Sequence, residues 1–82
     1  MDDARERIER LLVRMIAGQE RRLHELAQRT VPGVTPEDLL LPDDVPELRD
    51  DPDFLYEAGL LAGLLSAQAA LRAEFAGPAA SG

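Results

Sequence analysis

The sequence predicts an all-α protein, a two-helix hairpin with a long folded connector that associates as a homodimeric four-helix bundle. Three observations lead to this class. Alanine and leucine dominate a composition that is 45% apolar and 4% aromatic, whereas sheet proteins are enriched in β-branched and aromatic residues. Apolar residues recur with helical spacing in the first third of the chain. The last third is apolar all round, and such a helix needs cover on more than one side.

The length of the chain makes association the expected source of the missing core. A chain of 82 residues forms one small domain, which as a monomer buries only about 60% of the surface that its unfolded chain exposes. There is no cysteine, so disulfides and thiolate metal sites cannot add stability. We therefore expect a single helical domain over residues 1–76 that completes its core with a second copy or another protein.

The first helix is predicted over about residues 3–29. Its larger apolar side chains fall on one broad side of a helical wheel, and opposite charges spaced i, i+4 support the exposed side. The positions that this helix is expected to contribute to the interface are Ile8, Leu12, Met15, Leu23 and Leu26.

The connector, residues 30–52, contains four prolines before Pro52 and cannot be one continuous helix. Thr35, Pro36 and the acids that follow predict an N-cap and a short helical turn near 36–41, and the sequence allows a second turn over 46–49. Residues 30–53 hold eight acids and one arginine. The segment also has many apolar residues, which indicates that it folds over one end or side of the bundle.

The second helix is predicted over about residues 52–76. Asp51 and Pro52 suit the cap and first position of a helix, and Gly77 followed by Pro78 suits its end. Residues 77–82 are expected to form a disordered tail.

Two faces are expected on the second helix. The leucines and Phe54 share one arc, which we assign to the first helix, and small residues share the other, which we assign to a close symmetric partner, although the two assignments could be exchanged. A glycine in an exposed helix interior costs about 1 kcal/mol relative to alanine, so two glycines favour a packed face. The interface positions predicted from this helix are Gly59, Leu61, Gly63, Leu65, Ala67 and Ala70.

Four polar residues fall on or near faces that otherwise look buried: Gln19, Arg22, Gln68 and Arg72. The favoured interpretation is that the glutamines form hydrogen bonds that fix helix register, while Arg72 extends to the rim. The alternative is a small helical-bundle enzyme or ligand-binding protein that uses these groups at the dimer interface. Chorismate mutase is comparable by fold-level analogy alone, and the lysine expected there is absent.

Other chemistries find little support in the sequence. His24 is the only histidine and falls on the polar side of its helix, where we expect it to be solvated; no metal site, cofactor or catalytic residue is predicted. The net charge of −7 disfavours binding to nucleic acid. The apolar run 58–71 is shorter than the roughly 20 residues of a membrane span, and the charged N-terminal segment does not resemble a signal peptide.

These observations favour a small, cytoplasmic, non-enzymatic module that acts by self-association or as a subunit of a larger complex.

Overall fold

All secondary structure in residues 2–81 of the computed structural model is helical, which confirms the all-α class. The structure describes the backbone of these residues and the side chains of residues 3–76. The elements in chain order are α1 (Asp2–Thr30), a first 3-10 turn (Asp38–Leu40), a second 3-10 turn (Pro42–Asp44), α2 (Pro46–Arg49) and α3 (Pro52–Ser81). The backbone of α3 continues to Ser81, past the end predicted near residue 76, so 77–81 do not form the predicted disordered tail; the side chains of 77–82 lie outside the described residues.

The side of α1 that faces α3 follows the helical repeat. Its buried apolar residues are Leu12, Ile16, Leu23 and Ala27, and the buried polar residue Gln19 lies among them. Spacings of three, four and seven residues place these side chains on one face. At about 1.5 Å per residue a helix of this length is about 43 Å long, close to the 46 Å longest dimension of the molecule.

A tight turn ends α1 and starts the connector. The amide of Val31 still donates to the carbonyl of Ala27, at 2.7 Å, and the amide of Val34 donates to the carbonyl of Val31, at 3.1 Å. Between them, Gly33 adopts a φ of +90°, which a residue with a side chain rarely adopts. The turn reverses the chain toward the core.

The connector is built from short helical turns. Thr35 and Asp38 cap each other: the Asp38 carboxylate accepts a hydrogen bond from the Thr35 amide (3.0 Å), and the Thr35 hydroxyl accepts one from the Asp38 amide (3.3 Å). This reciprocal pattern is that of a capping box. The first 3-10 turn lies within the range predicted for a helical turn, and α2 occupies the second, 46–49. The turn at 42–44 was not expected from the sequence.

The main core lies at the connector end of the molecule. There Val34 and Leu48 of the connector are buried against Leu23 and Ala27 of α1 and Phe54 of α3. Phe54 and Leu48 are the largest fully buried side chains of the described part. Toward the other end, the buried side chains are Leu12 and Ile16 on α1, so the core is thin where the connector does not reach.

The start of α3 follows the predicted cap. The carboxylate of Asp51 accepts a hydrogen bond from the Phe54 amide at 3.0 Å, which satisfies one of the free donors of the first turn. From there α3 runs antiparallel to α1. Gln19 lies beside Glu57, and the guanidinium carbon of Arg5 lies 5.5 Å from the centroid of the Phe75 ring.

Candidate functional site

The most unusual surface of the molecule is the side of α3 that faces away from α1. In α3 as a whole, only 6% of the most apolar 18-residue window is buried within the chain. Leu61, Leu64 and Leu71 are half-buried toward α1, whereas Leu60 and Leu65 remain 41% and 44% exposed. We expected all the leucines of one arc, about 140° wide on the helical wheel, to pack against α1. This is wrong for Leu60 and Leu65, because a single neighbouring helix covers a narrower arc than that.

The small residues of α3 are uncovered in the single chain. Gly59, Gly63, Ala67 and Ala70 are all exposed. Apart from the adjacent residues and the nearby backbone of α3 itself, a Cβ atom added at Gly59 or Gly63 would meet no atom of the described residues within 4 Å. Packing inside one chain therefore gives no steric reason for either glycine, although each lowers helix stability by about 1 kcal/mol relative to alanine.

The interface positions predicted on α1 divide into two groups. Leu12 and Leu23 are buried, and Leu26 is partly buried against the core. Ile8 and Met15 are 38% and 45% exposed. Leu11, which the sequence interpretation did not select, is 48% exposed beside them. The first group is used within the chain, and the second remains available at the surface.

A subset of the exposed apolar residues of α1 and α3 lies on one side of the helix pair. A shallow depression of about 240 Å³ between the helices is lined by Arg22 and Leu26 of α1 and by Tyr56 of α3. On helical wheels, α1 positions 8, 11, 15, 22 and 26 share an arc of about 60°, and α3 positions 56, 60, 63 and 67 share another. We call the surface that these two arcs form the side face; its central residues are Ile8, Leu11, Met15, Leu60, Gly63 and Ala67.

The opposite side of the helix pair is partly covered by the connector. A cleft of about 510 Å³ there is lined by His24 and Glu20 of α1, Leu39 and Leu40 of the connector, and Leu61 of α3, among others. The expectation that His24 is solvated is wrong: its side chain is half-buried, and its Nε2 is buried with no hydrogen-bond partner among the described residues. The connector packs over this side of α1, which a helical wheel of α1 alone cannot predict.

The polar set selected from the sequence is not gathered at one place. Gln19 is buried, and its side-chain amide donates to the carboxylate of Glu57 at 2.8 Å and to the Glu57 carbonyl at 3.0 Å. Gln68 is half-buried, and Arg22 and Arg72 are exposed. None of the depressions described on the surface brings Gln19, Gln68 and Arg72 together.

Two further observations concern the chemistry of the described residues. They contain no group of three or more histidine, cysteine or acidic side chains placed to hold a metal ion. The neighbouring Asp50, by hydrogen bonding and by its charge, raises the pKa of Arg49. Both side chains are exposed to solvent, so this ion pair is a surface contact and does not form part of a binding pocket.

Glu57 is a contact residue that the sequence interpretation missed. It is the only charged residue between Phe54 and Leu71. A partly buried charge inside an otherwise apolar helix needs a polar partner. The helical wheel of α1 places Gln19 on the buried side, so the two residues could have been predicted to pair from the sequence.

Segment Pro52–Ala76 of α3 is long and apolar enough to cross a membrane by length and composition, with a mean hydropathy of 1.4 in its best window. A core helix of a water-soluble protein meets the same criteria. This helix is almost uncovered in the single chain, so both an apolar partner surface and a bilayer would bury it.

The comparisons with known proteins add no relative. No match to this chain was found among protein-family models, curated proteins or solved structures.

Proposed function

We propose that this chain is a small, non-enzymatic interaction module that works by self-association, as a two-helix hairpin that pairs with a second copy into a four-helix bundle. The observation that carries the proposal is the uncovered apolar side face. Ile8, Leu11, Met15 and Leu60 are each between 38% and 48% exposed, and they are contributed by both long helices. Contiguous apolar surface of this kind is typical of protein or membrane contacts.

The energetics favour association. Fully burying a large aliphatic side chain stabilises a protein by about 1.5–3 kcal/mol. The main core lies at the connector end, so the far half of the helix pair lacks a comparable cluster of buried residues among those described. A second copy on the side face would bury its leucines and would give Gly63 a close neighbour.

A water-soluble bundle accounts for the charges of α3 better than a membrane span does. The uncharged stretch between Glu57 and Arg72 has 14 residues, which is about 21 Å of helix against a hydrocarbon thickness of about 30 Å. A span would therefore bring Glu57, Arg72 or Glu74 into the bilayer, where a charged side chain is costly. We accordingly propose a cytoplasmic protein with neither a membrane nor a nucleic acid as partner.

Sedimentation equilibrium over a range of micromolar concentrations tests the proposal. We expect a mass of about twice the 9.0 kDa of one chain, and a thermal unfolding midpoint that rises with protein concentration, because association stabilises the folded state by mass action. A folded species with the mass of one chain and a concentration-independent midpoint would contradict it. Flotation of the protein with phosphatidylcholine vesicles would favour the membrane instead.

A matched pair of variants locates the contact on α1. Leu11 and Val13 are 48% and 51% exposed, but they lie on different sides of the helix. We expect Leu11→Glu to dissociate the dimer and Val13→Glu to leave it intact. Equal effects of the two substitutions would argue that the side face is not the contact.

A further inference from the structure

We infer that the two copies pair through the side face in reversed orientation, with their connectors at opposite ends of the bundle. The inference rests on the proposed self-association and adds the geometry of the partner. Two observations carry it: the distribution of charge along the molecule, and the open space around Gly63 on the side face.

Charge is unevenly distributed between the two ends of the molecule. The connector end holds residues 30–53, with eight acids and one arginine. The last ten residues of α1, at the same end, add three arginines and one glutamate, so this end stays acidic. At the other end, residues 2–14 hold four acids and four arginines, and α3 adds Arg72 and Glu74, so the charges there balance.

Two symmetric arrangements can bury the side face against a second copy. A two-fold axis along the helices places both connectors at the same end and packs α3 against the partner's α1. A two-fold axis across the helices places the connectors at opposite ends and packs each helix against its own counterpart.

Electrostatics favour the second arrangement. With the connectors at one end, two strongly acidic surfaces would lie side by side, within one or two screening lengths of about 8 Å at physiological salt. With the axis across the helices near the middle of the side face, each acidic end lies instead beside the partner's charge-balanced end. Like charges brought close together at an interface are costly, and this cost falls on the arrangement with both connectors at one end.

Gly63 favours the same arrangement. A Cβ at Gly63 has open space around it, so its absence serves no contact inside the chain. When α3 packs against its own counterpart across the two-fold axis, the surface around Gly63 and Ala67 meets the same surface of the partner. Small residues on both sides let two backbones approach closely. The other arrangement sets this flat surface against the large side chains of α1.

Distances between spin labels on single-cysteine variants test the orientation, because the chain has no cysteine of its own. Asp53 is exposed and lines the depression on the side-face edge. It precedes Gly63 by ten residues, so in the reversed dimer two Asp53→Cys labels should be about 30 Å apart along the bundle. With both connectors at one end, they should be less than about 20 Å apart, given helix separations of about 8–10 Å.

A mixed sample gives the opposite expectation and serves as the control. Glu74 is exposed and lies on the same arc of α3 as Tyr56. Mixing chains labelled at Asp53→Cys with chains labelled at Glu74→Cys should give a short distance of about 10–15 Å in the reversed dimer. It should give about 30 Å in the other arrangement.

The outcomes separate the two proposals. A dimeric mass with long Asp53 to Asp53 and short Asp53 to Glu74 distances supports the inference. A dimeric mass with these distances exchanged overturns the orientation and leaves the proposed function standing. A monomeric mass at all concentrations overturns both.

Discussion

The side-chain amide of Gln19 on α1 donates two hydrogen bonds to one residue of α3, to the carboxylate of Glu57 at 2.8 Å and to its carbonyl at 3.0 Å. Gln19 is only 8% exposed and lies among the apolar residues of α1. A buried amide needs partners, and this geometry supplies both at one position along the helix pair. The contact therefore fixes the register in which α1 and α3 lie together.

Replacing Gln19 should be costly. Gln19→Ala leaves the partly buried oxygens of Glu57 without this donor, so we expect the free energy of unfolding to fall by about 1–3 kcal/mol. Gln28 is exposed, and Gln28→Ala should change the free energy of unfolding by less than about 0.5 kcal/mol. Urea denaturation at one fixed protein concentration measures both. Equal changes would show that the cross-helix bonds contribute no stability.

Two leucines of α3 offer a matched test of the side face. Leu60 and Leu65 are 41% and 44% exposed, and only Leu60 belongs to the side face. Leu60→Glu places like charges at the proposed contact, and we expect it to shift sedimentation to the monomeric mass. Leu65→Glu introduces the same charge on the other edge of α3 and should leave the dimer in place. A dimer that tolerates Leu60→Glu would exclude the side face.

A leucine at Gly63 should have opposite effects on helix formation and on association. The space around Gly63 is open within one chain, and leucine is a better helix former than glycine by about 0.8 kcal/mol. Gly63→Leu should therefore preserve the helical circular dichroism signal but weaken association at least tenfold, because the backbones can no longer approach. Ala62 is also exposed and lies outside the side face, so Ala62→Leu is the size-matched control. Unchanged association of Gly63→Leu would contradict a close contact there.

Gly33 gives a prediction that concerns the backbone alone. Its φ is +90°, and apart from its two chain neighbours an added Cβ would meet no atom within 4 Å in the described part of the chain. Gly33→Ala should nevertheless lower the free energy of unfolding by about 1–2 kcal/mol, because residues with a Cβ disfavour this conformation. Gly18 lies within α1, with only the end of a flexible arginine within 4 Å of an added Cβ. Gly18→Ala should therefore raise the free energy of unfolding by as much as about 1 kcal/mol. If both substitutions lowered the free energy of unfolding equally, the positive φ of Gly33 would not be the cause of its effect.

Features set by a few neighbouring residues were predictable from the sequence. The all-α class follows from composition and helical spacing. The start of α3 follows from Asp51 and Pro52, because a carboxylate at the cap bonds an amide three residues later. The short turns over 38–40 and 46–49 lie where the capping residues and prolines indicated. Each of these depends on contacts that the local sequence specifies.

Features that depend on how one helix is rotated against another were not predictable in the same way. A helical wheel places Leu60 and Leu61 on one leucine arc, but only the packed pair decides that Leu61 turns toward α1 while Leu60 stays exposed. The cover that the connector provides over His24 is likewise a long-range contact. So is the pairing of Gln19 with Glu57, 38 residues apart in the chain.

The sequence by itself determined that the chain is helical, where its principal helices begin, and that its last helix is apolar on all sides. The tertiary structure decided which side of that helix is covered, and it brought part of the uncovered apolar surface of α1 and α3 together as one side face. The physical reason is that capping and helical periodicity act over three to seven residues. The choice between two apolar faces is made instead by the packing of whole helices and of the connector that crosses them.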